Sequence, residues 1–183
     1  MSSKYHISNP EGIYFVTFAT VEWVDVLTRP QYKNIVVESL QYCQQHKGLK
    51  LFAWCLMSNH LHLIAAAKEN HHLSNILRDF KKHTSRTIVE AILKHENESR
   101  RKWMLHRFAF AGAVDPKVTN FKFWQDGNEA KEITSNNFLQ QKLDYIHQNP
   151  VRAEIVAEPE HYLYSSAANY AREKGLLEVL FTE

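Results

Sequence analysis

Trp54-Cys55-Leu56-Met57-Ser58-Asn59-His60-Leu61-His62-Leu63-Ile64 reads as strand, tight turn, strand. The connection is too short for a crossover, so the two strands form an antiparallel hairpin. Successive side chains on a strand point to opposite faces. His60 and His62 therefore share one face, and Leu61 and Leu63 the other. Two imidazoles about 6–7 Å apart along the backbone can converge on one metal ion. The same spacing also fits a polar strand face carrying two incidental histidines. The rest of the chain has to decide between these readings.

On the N-terminal side, Ile13 to Thr20 is rich in β-branched and aromatic residues and reads as a strand. A helix is predicted from Gln31 to His46, with Ile35, Val36, Leu40 and Cys43 at helical spacing and Gly48 as its stop. Beyond the hairpin, Ser74 to Lys94 reads as a second helix with Leu77, Phe80, Ile88 and Ile92 on one stripe. Arg78, Lys81, Lys82, His83 and Arg86 fall mainly off that stripe, which fits a solvated face or a phosphate-contacting one. Trp103 to Gly112 is apolar and ambiguous between helix and strand. A turn is expected over Asp115 to Asn120, and a short strand over Phe121 to Gln125. Asn136 to Asn149 reads as a helix that Pro150 should stop. A short helix is expected near Ser165 to Lys174. This order predicts an α+β fold, an antiparallel sheet with helices packed on it.

The 183 residues fit a single domain, 1–183, with its core from about 13 to 170. A hydrophobic content of 44% is enough for a proper core. The net charge of +2 does not demand a nucleic-acid partner, although a local basic stripe remains compatible with it. Two cysteines, Cys43 and Cys55, form no Cys-x-x-Cys pair that would suggest a zinc ribbon. No apolar run reaches the length of a membrane span, and the first ten residues lack a signal-peptide core, so a cytoplasmic location is expected.

Tyr145 and Asn149 lie four residues apart on the predicted last long helix and face the same way. Taken singly, they read as a core-edge tyrosine and a helix terminator. Taken with His60 and His62, they make a sharper set. Two imidazoles and an amide oxygen form three ligands without a thiolate, which suits Mg²⁺ or Mn²⁺ bound jointly with a phosphate. Tyr145 would then present its hydroxyl one helical turn from a ligand, as a nucleophile beside a Lewis acid. No base is identifiable from the sequence.

Four segments in order resemble the single-tyrosine HUH transposase superfamily, in its REP-associated tyrosine transposase branch. Met57-Ser58-Asn59-His60-Leu61-His62-Leu63 is similar to the family's Met-Pro-Asn-His-x-His-Leu turn and strand. Phe123-Trp124-Gln125 is similar to its Trp-Gln strand. Tyr145-Ile146-His147-Gln148-Asn149-Pro150-Val151-Arg152-Ala153 resembles its Tyr-Ile-His-x-Asn-Pro-Val-Lys/Arg-Ala block, and Tyr162-Leu163-Tyr164-Ser165-Ser166 its Tyr-x-x-Ser-Ser segment. Ser58 departs from the usual proline, and Glu154 from the usual glycine.

The resemblance implies a ferredoxin-like antiparallel sheet flanked by helices. It implies His60, His62 and Asn149 as ligands of a divalent metal, Mg²⁺ or Mn²⁺, and Tyr145 as the nucleophile. The expected activity is cleavage of single-stranded DNA near hairpins through a 5′-phosphotyrosine, with rejoining by the reverse step, in a monomer or homodimer. DNA contacts are expected from Lys81, Lys82, Arg86 and Arg152. A catalytically silent hairpin-binding protein is the alternative. A hydrolase using water would want a carboxylate or third histidine at the metal, and no such residue has an obvious claim.

Overall fold

The computed structural model describes residues 7–116, 120–127 and 130–182. The sheet contains β1 (Tyr14–Ala19), β2 (Leu49–Leu56), β3 (His60–Ala67) and β4 (Lys131–Glu132), in the order β2-β3-β1-β4. Every pairing is antiparallel. β1 reaches β2 through helix α1 (Pro30–His46), and β3 reaches β4 through α2 (Leu73–Lys94) and α3 (Arg101–Ala113). This β-α-β-β-α-β order with β1 and β3 at the centre is the ferredoxin-like arrangement that the resemblance implies. Helix α4 (Asn136–Arg152) and the short α5 (Ala167–Tyr170) follow.

The two sheet faces are covered differently. Phe18 of β1 stacks on Phe80 of α2 at 5.9 Å, so α2 lies on the face opposite the histidines, packed beside α1. The buried positions of α1, Tyr32, Val36, Leu40 and Cys43, recur every three or four residues. The helix ends where Gly48 takes φ +74, a left-handed position that suits glycine. On the other face, Phe15 of β1 meets Tyr145 of α4, which packs across β2 and β3.

The tail closes the outer edge of β2. Leu56 N–H donates to Tyr164 O and Ser166 N–H to Trp54 O, each at 2.9 Å. The Tyr162 hydroxyl donates to Leu56 O at 2.8 Å. An open strand edge is thereby paired. On the opposite side, buried Glu98 holds Arg29 and Arg100, which pins the α2–α3 turn to the start of α1.

Several expectations need correction. Pro150 does not stop α4; it is buried inside the helix, which continues to Arg152. Proline forfeits one hydrogen bond and crowds one carbonyl. Here the loss falls in the final turn, and burial of the ring compensates. Glu154 then takes φ +57, the conformation that a glycine would accept without strain. Phe121 to Gln125 is not a strand: Trp124 makes one bridge to Thr20, and Phe123 and Trp124 are apolar because they pack on Phe108 and Phe18. The fourth strand is instead Lys131–Glu132, two polar residues without any hydrophobic pattern. Trp103 to Gly112 is helix α3, with Met104, Phe108 and Ala111 buried and Trp103 and Phe110 exposed. The turn expected over Asp115 to Asn120 falls partly on 117–119, outside the described residues.

Candidate functional site

β3 runs through the sheet between β1 and β2, so its backbone is paired on both sides. His62 stands in register with Thr17 and Cys55, and His60 with Ala19. The two rings approach edge-on, with centroids 4.7 Å apart.

Each ring is oriented by a neighbour. His62 Nδ1 lies 2.9 Å from Thr17 Oγ1. Its Nε2 is buried and has no hydrogen-bond partner among the described residues. His60 Nδ1 lies 2.7 Å from Asn59 Oδ1. The Asn59 amide nitrogen donates to Trp23 O at 3.1 Å, which turns Oδ1 toward the ring. Nδ1 of His60 therefore carries the hydrogen and donates it, leaving a lone pair on Nε2. Burial holds the His60 imidazole below its usual range, against the opposing effect of the neighbouring Asn149 side chain. Burial, then the His60 ring and the Lys142 charge, push His62 down to about 3. Both rings are neutral at physiological pH, the form in which imidazole binds a metal.

Helix α4 supplies the other half. Ser135 caps it, accepting from Phe138 N–H at 3.2 Å. Phe138, Lys142, Tyr145, Asn149 and Arg152 follow at intervals of four and three, one stripe down the helix. The Tyr145 ring stands edge-on to His62 at 5.2 Å and to Phe15 at 6.0 Å, and remains 38% exposed. Asn149 reaches His60. Two cations flank the tyrosine. Lys142 Nζ lies 5.6 Å from its ring centroid and 4.9 Å from that of Phe15, and the Arg152 guanidinium lies 5.7 Å from the Tyr145 ring.

The seating of α4 depends on its inner face. Buried His147 places Nε2 2.9 Å from Ser166 Oγ, and the same Oγ accepts from Trp54 N–H at 2.9 Å. The helix is thus tied, through Ser166, to the strand that precedes the histidine turn. At the far end of β1, Gln125 N–H donates to Ala19 O at 2.8 Å, and Thr20 N–H to Asn59 O at 2.9 Å. The Trp124 indole donates to Thr84 at 3.0 Å. The Trp-Gln and Tyr-x-x-Ser-Ser segments are therefore braces for the site.

His60, His62, Tyr145 and Asn149 of one chain come together. Arg152 joins them. Lys81, Lys82 and Arg86 do not, because α2 lies across the sheet. Lys81 donates to Gln125 O at 2.9 Å, lies over the Phe18 ring, and is pushed down to about 8 by burial. Lys82 is exposed, and exposed Arg86 pairs with Glu90 at 3.8 Å. Sequence reasoning missed Lys142, Thr17, Asn59 and His147. Lys142 was detectable from its three-residue spacing to Tyr145. Thr17 needed the strand register, and Asn59 needed the turn geometry.

The donor set fits a divalent ion. It offers two neutral imidazoles, one with a buried nitrogen lacking a partner, and an amide beside them. Among the described residues, no three His, Cys, Asp or Glu side chains form a metal-holding group. The third donor on offer is the Asn149 amide.

Residues 11–115 match the family model for IS200-like transposases. The chain belongs to this family. The matched region includes the histidine pair and ends before α4. A comparison with curated proteins gives no match. Among solved structures, a REP-associated tyrosine transposase bound to a REP hairpin aligns over 100% of this chain and 94% of its own, with a TM-score of 0.67 at 17% identity. That likeness shows that the transposase fold extends through α4 and the tail. A putative transposase from Deinococcus radiodurans, 20% identical, covers 73% of this chain and 87% of its own at a TM-score of 0.44, too loose to carry an argument. Family and fold together give this IS200-like transposase a transposase-type function on DNA. Among the described residues, no helix is long and apolar enough to cross a membrane.

Proposed function

We propose that this transposase cuts and rejoins single-stranded DNA beside hairpins, with Tyr145 as nucleophile. One observation carries the reading: the exposed Tyr145 ring stands 5.2 Å from His62, while Asn149, one turn further on, lies beside His60. The Tyr145 hydroxyl loses its proton as its oxygen attacks phosphorus. The bond from phosphorus to the 3′ oxygen breaks, and that oxygen takes up a proton as a free 3′-OH. The 5′ phosphate stays on the tyrosine. The phosphotyrosine preserves a phosphodiester-level bond, so the 3′-OH can reverse the step without a nucleotide cofactor.

His60, His62 and Asn149 would hold a divalent ion, Mg²⁺ or Mn²⁺, which supplies Lewis-acid polarisation of the scissile phosphate when bound. Thr17 and Asn59 hold the rings in orientation. Arg152 binds the strand next to Tyr145. Lys82 and Arg86, across the sheet, can reach only a part of the hairpin remote from the scissile phosphate. The hairpin ligand is supported by the solved structure that shares this fold, which is bound to a REP hairpin.

The test is a labelled hairpin oligonucleotide with a single-stranded flank, incubated with Mg²⁺ or Mn²⁺ and run on a denaturing gel. The parent forms a covalent adduct, and Tyr145→Phe forms none while still binding the hairpin. An adduct that survives in Tyr145→Phe removes Tyr145 as nucleophile. Binding without cleavage by the parent establishes the silent hairpin binder instead.

A further inference from the structure

The turn that follows β1 holds an aromatic side chain beside the metal-site histidines that the fold itself does not explain. Glu22 and Trp23 are consecutive non-glycine residues in the left-handed region, with φ +50 and +56. Such conformations are strained for residues with a Cβ and cluster at functional sites. Strain of this kind is usually offset by packing, yet Trp23 is 55% exposed. Its indole stands edge-on to His60 with centroids 5.9 Å apart.

The turn is also firmly held. Trp23 N–H donates to Thr20 O at 3.0 Å, Val24 N–H to Val21 O at 3.1 Å, and Leu27 N–H to Ser58 O at 2.8 Å. Glu22 pairs with Arg107 of α3 at 3.2 Å. The Trp23 carbonyl accepts from Asn59, the residue that orients His60. The backbone that carries the indole is thus fixed relative to His60 through Asn59, and the indole shows much of its surface to solvent.

We propose that Trp23 is a stacking platform for one unpaired base of the DNA strand flanking the phosphodiester at Tyr145. An exposed indole attracts the flat face of any base, and it needs no hydrogen-bond code to do so. Placed beside His60, on the side of the histidine pair away from Tyr145, it fixes the strand's path across the site. The inference rests on the single-strand reading above and adds a contact that reading does not contain.

The experiment uses the full chain carrying Tyr145→Phe, so that binding is measured without cleavage. Hairpin oligonucleotides with a single-stranded flank are titrated, each with one abasic position moved along the flank. Trp23→Ala weakens binding of the intact oligonucleotide by roughly 5- to 150-fold, the range of a stacked base, and Trp23→Phe stays within about fivefold of the parent. One abasic position costs the parent a similar factor and costs Trp23→Ala almost nothing. Trp23→Gly, which accepts the positive φ without strain, melts no lower than the parent while binding as weakly as Trp23→Ala. A side chain with only a structural role would give the reverse, a lower melting temperature with unchanged affinity. Equal affinities for parent and Trp23→Ala overturn the stacking and leave Tyr145 untouched. Binding without a position-dependent abasic effect also overturns it. A parent that binds no single-stranded flank overturns both readings.

Discussion

Replacing Lys142 by methionine keeps a long apolar stem against Phe15 and Phe138 and removes one positive charge from the Tyr145 ring. The ammonium lies 5.6 Å from the ring centroid. In the proposed attack, negative charge that develops on the phenolic oxygen spreads into that ring. At this distance, and with an effective dielectric of about 20, the attraction is about 3 kcal/mol. Lys142 is half-buried and Tyr145 partly exposed, so water screens the pair, and a dielectric of about 40 brings the figure to about 1.5 kcal/mol. The expected loss in the chemical step is therefore roughly 10- to 150-fold. The assay is single-turnover cleavage of a labelled hairpin oligonucleotide with protein at saturating excess, so that weaker binding does not enter the rate. Affinity is measured separately on the Tyr145→Phe background. Lys142→Arg keeps the charge over the same rings and recovers most of the rate. A Lys142→Met protein that cleaves within about twofold of the parent refutes the electrostatic role. A rate defect that Lys142→Arg shares in full shows that shape, and not charge, was lost.

Ser166→Ala leaves Trp54 N–H and His147 Nε2 without their shared buried partner, and lowers unfolding free energy by about 1–3 kcal/mol. Urea titration measures it, and an unchanged midpoint shows that Ser166 does not anchor α4. The Glu98 carboxyl is held below the usual carboxylate range by its hydrogen bond to Arg29, against the opposing effect of burial. A depressed native pKa stabilises the fold above the unfolded value of about 4.3, and that contribution disappears as pH falls through the native value. Glu98→Gln therefore costs most at neutral pH and converges on the parent in strongly acidic solution. A difference that widened toward acid would reverse the sign of the linkage.

The elements that bury one continuous stripe were legible in the sequence. α1 and α2 carry apolar residues at helical spacing, and β2 and β3 stand out as largely apolar runs on either side of a three-residue turn. β4 was not legible because two residues, Lys131 and Glu132, pair through backbone and carry no apolar signal. α3 was ambiguous because Trp103 and Phe110 are aromatic yet exposed, which blurs the buried stripe. Pro150 misled for a related reason. Local rules weigh one lost hydrogen bond, whereas the fold also weighs a buried ring. At the site, residue spacing and family resemblance singled out His60, His62, Tyr145 and Asn149. The basic residues of α2 were not assignable, because which face of a sheet a helix covers is a property of topology rather than of the helix.

The two halves of the site are held by different means, and this explains why the site draws on four separated segments of the chain. The histidines are fixed by a central strand paired on both sides, with Thr17 and Asn59 setting ring orientation. Tyr145 and Asn149 ride on a helix that touches the sheet through few side chains, so its register along β2 needs its own lock. Ser166 provides it by joining His147 to Trp54. A slip of α4 by one residue would turn Tyr145 through about 100° and carry it off the histidines. The histidine of the Tyr-Ile-His block and the second serine of the Tyr-x-x-Ser-Ser segment therefore position the site without entering it. They decide where Tyr145 stands relative to two imidazoles from which it is separated by more than eighty residues of chain.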